Sequence, residues 1–176
     1  RVTASYSIDM MRQQRIQLIQ ARPELAIDLQ ALRYQALLDT FLRCGEDPAL
    51  VTKAMQVFNQ ARNQVQLFDD VAHCLPHLAK LVKLGSLTNG AADLEAIGLA
   101  HHFEISLAAH QIGKAKPDPY VFQQACALLQ LEPAHVAYVG DDLRLDVEGA
   151  QKAGLTGIWL NRQHQQAPVE LGHIQP

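Results

Sequence analysis

Val139-Gly140-Asp141-Asp142-Leu143-Arg144-Leu145-Asp146-Val147-Glu148-Gly149-Ala150 decides how the rest of the chain is read. The β-prone run 135–139 leads into it, and a helical pattern follows to about Ala153, where Gly154 stops it. A strand that turns into a helix across carboxylates sets those acids at the strand's carboxyl end. Open parallel sheets bind their ligands there. Asp141, Asp142 and Asp146 lie close enough in sequence to repel one another unless a cation joins them. Mg²⁺ suits such a place, because it takes a few carboxylates and leaves room for water and phosphate oxygens. Helix capping explains Asp142 but does not readily explain all three acids.

Working outward, the same strand-then-helix rhythm repeats. Strands are expected at 85–88, 103–107, 135–139 and 157–160. Helices are expected from Asp69 or Asp70 to about 84, over 91–97, from Asp118-Pro119 to Leu129, and over 143–153. This alternation predicts an α/β fold with a parallel, Rossmann-like sheet sandwiched by helices. The front of the chain has another texture. It is rich in Gln, Arg, Leu and Ala, with a single glycine, Gly45. Its apolar residues recur at helical spacing: Met11, Ile16, Leu18 and Ile19, then Leu25, Leu29, Leu32 and Leu38, then Val51, Met55 and Phe58. Pro23, Gly45 and Asp47-Pro48 punctuate these runs. Residues 1–65 therefore read as a small α-helical bundle or cap, and 66–176 as the α/β core.

Composition narrows the function classes. The chain has 176 residues, 48% of them hydrophobic and 19% charged, as in an ordinary globular protein. A net charge of −3 with no run of like charges gives no footprint for nucleic acid or for an anionic membrane. No apolar run is long enough to cross a bilayer. Cys44, Cys74 and Cys126 are scattered, unpaired in spacing, and read as small buried thiols in a reducing compartment, so the expected location is cytoplasmic.

Two other strand ends carry polar groups. Ser86-Leu87-Thr88-Asn89-Gly90 offers a hydroxyl, an amide and a glycine where a helix begins, a place that can hold an anion. Gly113-Lys114-Ala115-Lys116-Pro117-Asp118-Pro119 sets a lysine on a loop stiffened by prolines. Each of these alone reads as an ordinary turn or surface loop. In succession, hydroxyl, lysine and acid pair are far more specific.

The runs SLTNG at 86–90, GKAKPDP at 113–119 and VGDDLRLDVEGAQKAG at 139–154 resemble, in that order, the later motifs of the haloacid dehalogenase superfamily. The likeness covers about 67–161, and the front resembles the family's inserted α-helical cap. The resemblance implies that Thr88 and Lys116 act as catalytic groups. With Asn89 and Gly90 they would bind the phosphoryl group, Asn89 through its backbone. It also implies Mg²⁺ on Asp141 and Asp146, with Asp142 behind them. It implies a phosphatase for a small phosphorylated metabolite. GDDLRLDVEGA and GIWLNR are similar to bacterial phosphatases of flavin mononucleotide and of a phosphoribitylaminouracil; a sugar or nucleotide monophosphate fits the same class.

One motif of the family is missing. Its D-x-D-x-[TV] strand supplies an aspartate that attacks phosphorus and a second that moves protons, yet no two aspartates here are two apart. Phe68-Asp69-Asp70 has adjacent acids ahead of a helix and reads as a cap. The family's missing strand lies between the strands at 85–88 and 135–139. The chain opens on Arg1 rather than methionine. A preceding segment of several tens of residues is therefore expected to carry the nucleophile, and these residues alone are expected to be inactive. A phosphate-binding scaffold without a nucleophile, and a dehalogenase, are the other two readings.

Overall fold

The computed structural model describes residues 6–166. The chain divides into two compact units, Arg1–Leu78 with Gly90–His102, and Ala79–Asn89 with Phe103–Pro176.

The first unit is helical. Helix α1 spans Ile8–Ala21, with the Ser7 side chain accepting from the Met10 N–H at its start. A short 3-10 turn, Pro23–Ala26, separates it from α2, Leu29–Arg43. The separation arises because Asp28 caps α2, accepting from Gln30 and Ala31 N–H, so the second helix starts later than its apolar stripe suggests. Helices α3, Leu50–Asn63, and α4, Asp69–Leu78, follow, and α5, Leu94–Ile97, ends on left-handed Gly98. Asp69 and Asp70 both fall in the first turn of α4. Leu25, Leu32, Ala36, Val51 and Met55 form the buried apolar set. Against expectation, Ile16 is 56% exposed and Gln14 of α1 is buried instead. The reason is polar: Gln14 donates to the Ala36 carbonyl at 3.2 Å and accepts from the Thr40 hydroxyl at 2.8 Å, so buried Thr40 and Gln14 satisfy each other. The helix expected to reach residue 84 stops at Leu78, leaving Leu81 and Val82 exposed. Pro76, inside α4, removes an N–H from its last turn.

The second unit holds the strands. β1, Gly85–Thr88, pairs in parallel with β2, Ile105–Ala108. β3, Ala137–Gly140, pairs in parallel with β4, Thr156–Trp159. Helix α6, Ala109–Ile112, which the sequence pattern did not announce, leaves β2, and α7, Pro119–Leu129, is capped by Asp118. A wide π-helical turn, Leu143–Glu148, leads into α8, Gly149–Lys152. The core packs Leu87, Val121, Phe122, Cys126, Ala150, Ala153 and Leu155 together, with Tyr138 against them. Cys126 is buried as expected, but Cys74 is exposed.

The strands form two separate two-stranded ladders. Glu104 N–H donates to the Leu84 carbonyl, so along β1 the groups of 84, 86 and 88 aim at β2, and those of 85 and 87 aim away. Thr156 and Leu160 N–H donate to the Val136 and Gly140 carbonyls, so on β3 the groups of 137 and 139 aim away from β4. Among the described residues, neither outer edge meets another strand.

Phe122 is fully buried in this core. Phe122→Ala is expected to destabilise the second unit by about 3–5 kcal/mol, whereas Leu128→Ala, at a site 57% exposed, is expected to stay within about 0.5 kcal/mol. Urea unfolding of both variants checks this.

Candidate functional site

The site begins with a glycine. An added Cβ at Gly140 would overlap the Asp146 carboxylate, so only glycine at the end of β3 lets that side chain fold back onto the strand. The π-helical turn brings it there: both Asp146 and Val147 N–H point at the Asp142 carbonyl. Asp142 caps the turn, accepting from Arg144 and Leu145 N–H at 2.9 and 2.8 Å. Asp142 N–H in turn donates to Asp146 Oδ2 at 3.1 Å.

The other oxygen of Asp146 meets Lys116. Nζ lies 2.7 Å from Asp146 Oδ1, and the two side chains are only 12% and 6% exposed. The ammonium also donates to the Tyr138 hydroxyl at 2.8 Å, and that hydroxyl donates to the Leu87 carbonyl at 2.9 Å. Tyr138 thus links the two ladders and caps an acceptor on the free edge of β1. Phe122 holds its ring edge-on, with centroids 5.0 Å apart.

Asn89 fixes the lysine from behind. Its Oδ1 accepts from Lys116 N–H at 2.8 Å and its Nδ2 donates to the Lys116 carbonyl at 3.0 Å. The part expected of Asn89 was a backbone contact to phosphate; here its side chain is committed to the lysine loop. Lys114, the other lysine of that loop, sits outside, paired with Asp118 at 2.9 Å.

Burial would lower the pKa of Lys116, but the hydrogen bonds and charges of Asp146 and Tyr138 outweigh it and hold the ammonium above its ordinary value. Burial pushes the Tyr138 phenol up, against the pull of Lys116. Lys116 is therefore a fixed cation and Tyr138 a neutral donor and acceptor over the physiological range.

The residues singled out from the sequence divide as follows. Asn89, Lys116 and Asp146 are joined by direct bonds. Thr88 ends β1, one residue past the Leu87 carbonyl that Tyr138 holds. Gly90, next after Asn89, belongs to the helical unit. Asp141 is exposed, and its backbone carbonyl accepts from the Trp159 indole at 3.1 Å. Tyr138 and Gly140 were missed. The glycine's position beside the acids was a signal; the phenol on a strand reads as packing until its hydroxyl partners are known.

No group of three or more His, Cys, Asp or Glu side chains could hold a metal ion among the described residues. What these residues offer is a smaller set: the exposed carboxylate of Asp141 and the buried one of Asp146. A set of one or two carboxylates with water and phosphate is how Mg²⁺ is commonly held. The donor chemistry, carboxylate oxygen, is of the kind that ion takes, although Asp146 already accepts from Lys116 on one oxygen and from Asp142 N–H on the other.

Parallel ladders with helices after their strands, and an asparagine, a lysine and an aspartate joined beside them, make this an α/β unit with a charged network at its strand ends. A family model for haloacid dehalogenase-like hydrolases matches residues 5–154, and the chain belongs to that family. It is 32% identical over 124 residues to the phosphoserine phosphatase of Thermus thermophilus, a stretch covering 67% of this chain and 50% of that protein. It is 32% identical over 149 residues to the 5-amino-6-(5-phospho-D-ribitylamino)uracil phosphatase YigB of Escherichia coli, covering 82% of this chain and 63% of that one. Among solved structures, a 2-haloacid dehalogenase from Pseudomonas syringae superposes with a TM-score of 0.88 at 32% identity, over 94% of this chain and 74% of that chain. The chain thus spans half to somewhat under two thirds of these curated relatives. No helix among the described residues is long and apolar enough to cross a membrane.

Lys116→Met leaves the Asp146 carboxylate buried without its counter-ion and is expected to cost about 3–5 kcal/mol. Lys116→Met with Asp146→Leu should cost clearly less than the two single changes added together, by chemical denaturation at neutral pH. Because the folded pKa of Lys116 is raised, the pair's contribution is complete below about pH 10 and fades as pH climbs through the folded value. The double variant should lose less stability than the parent over that alkaline interval. Gly140→Ala should destabilise the protein as well, since the Asp146 side chain must leave its place.

Proposed function

We propose that the protein containing this chain is a Mg²⁺-dependent phosphatase for a small phosphorylated metabolite. The observation that carries this is the Lys116 ammonium, 2.7 Å from Asp146 and largely withdrawn from water. A cation fixed in that way is suited to stabilising the charge of a transferring phosphoryl group. Thr88 would hydrogen-bond that group. Asn89 would act through the lysine it holds. Asp141 and Asp146 would hold Mg²⁺, with Asp142 shaping the turn that presents them. The ion would supply charge neutralisation at the phosphate oxygens.

In this reading the nucleophilic aspartate comes from a preceding segment. The free edges of β1 and β3 support it: one added strand could pair with both, and its carboxyl end would then lie beside Lys116. The helical cap is taken as residues 1–65 and the α/β core as 66–176, with substrate choice assigned to the cap. The names of the curated relatives, a phosphoserine phosphatase and a phosphoribitylaminouracil phosphatase, favour a small metabolite. Sugar, nucleotide and flavin-related monophosphates are the classes to test first. Free Cys44, Cys74 and Cys126 agree with a cytoplasmic setting.

A second reading has a specific basis. The P. syringae structure with a TM-score of 0.88 is described as a 2-haloacid dehalogenase. Asp141 and Asp146, two carboxylates five positions apart after β3, favour the phosphatase, since a haloacid has no phosphate oxygens to share with a metal.

A panel of phosphorylated metabolites, assayed with the full-length gene product, separates these readings. Turnover is expected with Mg²⁺ and not with chelator, and Lys116→Ala should lower kcat by about 10²–10³-fold. The 176-residue chain alone should show none. Halide release from a 2-haloacid without metal, and no phosphate release, would establish the dehalogenase instead. A full-length sequence lacking D-x-D-x-[TV] would favour the scaffold.

A further inference from the structure

The helical unit contains a second cationic centre that phosphoryl transfer does not use. On α2, Gln30 and Arg33 are three residues apart and share a face; on α3, Phe58, Asn59 and Arg62 do the same at spacings of three and four. The two faces meet. The Arg33 guanidinium lies 3.8 Å from the Phe58 ring centroid, and Gln30 Nε2 donates to Asn59 Oδ1 at 3.1 Å.

Two polar atoms in this patch are buried without a partner: the Arg62 Nε, a donor, and the Gln30 Oε1, an acceptor. Native proteins rarely leave such atoms unmet. No acidic side chain forms an ion pair with Arg15, Arg33 or Arg62 among the described residues. Burial, then the charges of Arg15 and Arg62, lower the pKa of Arg33, which agrees with guanidinium groups gathered together and lacking an anion.

We propose that this patch is an anion-binding site. Arg33 and Arg62, with Arg15 adding charge from α1, take the carboxylate or phosphate of a small ligand, and Gln30 accepts a hydrogen bond from a hydroxyl or amine beside it. The chemistry follows from what is unmet. A planar guanidinium laid on an aromatic ring keeps its edge N–H groups free for an oxyanion. The orphan acceptor of Gln30 asks for a neighbouring donor, which an α-hydroxy acid, an amino acid or a sugar phosphate carries. The site stands apart from the Lys116 reading and needs no turnover.

Calorimetric titration of this chain at constant ionic strength tests it, with glycerate and inorganic phosphate as the two probes and glycerol as the uncharged control. Saturable binding of glycerate or phosphate, but not glycerol, is expected, and the two anions report which oxyanion the site prefers. Arg62→Gln and Arg33→Gln should each weaken it by at least about tenfold. Arg33→Lys, which keeps the charge and loses the flat fork, should also weaken it. Arg43→Gln, exposed near the end of the same helix, should leave it unchanged. Melting curves of each variant show whether the fold survives. Failure of both anions to saturate, or equal affinity in folded Arg62→Gln and the parent, overturns the proposal.

Discussion

The ion pair between Lys116 and Asp146 is the constraint around which the strand-bearing unit is arranged. A buried carboxylate and a buried ammonium each have a large cost in isolation, and each is tolerable only beside the other. Several features can be derived from that requirement. Gly140 must lack a side chain so that Asp146 can reach back. The helix after β3 must open wide, so that the same carboxylate can also accept from Asp142 N–H. The lysine loop must be clamped, which Asn89 does with two hydrogen bonds to its backbone. Tyr138 must stand where its hydroxyl accepts from the ammonium and donates to Leu87.

The same network spans a break in the sheet. β1 with β2 and β3 with β4 are two ladders, and Tyr138 runs from one to the other through a side chain. A side-chain bridge replaces none of the backbone bonding that an intervening strand would give. Exposed, unpaired edges are normally blunted or covered. The edges here are short and carry apolar Val139, 54% exposed, which is an unusual surface for a parallel sheet. A strand that paired with both edges would cover what these residues leave open.

Much of this was legible from residue type and spacing. The strand at 85–88 stands where the sequence put it, and Gly98, Asp118 and Pro119 punctuate helices as their chemistry dictates. The helical front and the alternating back were plain from periodicity. The order of hydroxyl, lysine and acids along the chain pointed to the family that the comparison then showed. What escaped depended on contacts between distant residues. Gln14 is buried because Thr40 meets it across two helices, and no period in α1 encodes that. Asn89 could be read as an anion-binding turn because its partner lies 27 positions away. Tyr138 carries no signal in its spacing, because its hydroxyl is satisfied only by groups from two other segments. The two-ladder arrangement was foreseen only through the family's strand order, since local patterns do not say which strands are neighbours.

The central claim is that Lys116, Thr88 and the acids after β3 serve one phosphate together with a strand that these residues do not contain. A crystal structure of the full-length protein with Mg²⁺ and vanadate, a mimic of the transferring phosphoryl group, tests this most directly. The account requires the vanadate within hydrogen-bond reach of Lys116 and Thr88, Mg²⁺ on Asp141 or Asp146, and a strand paired to both β1 and β3. Vanadate bound away from Lys116 and Thr88, with no strand between the ladders, would contradict it.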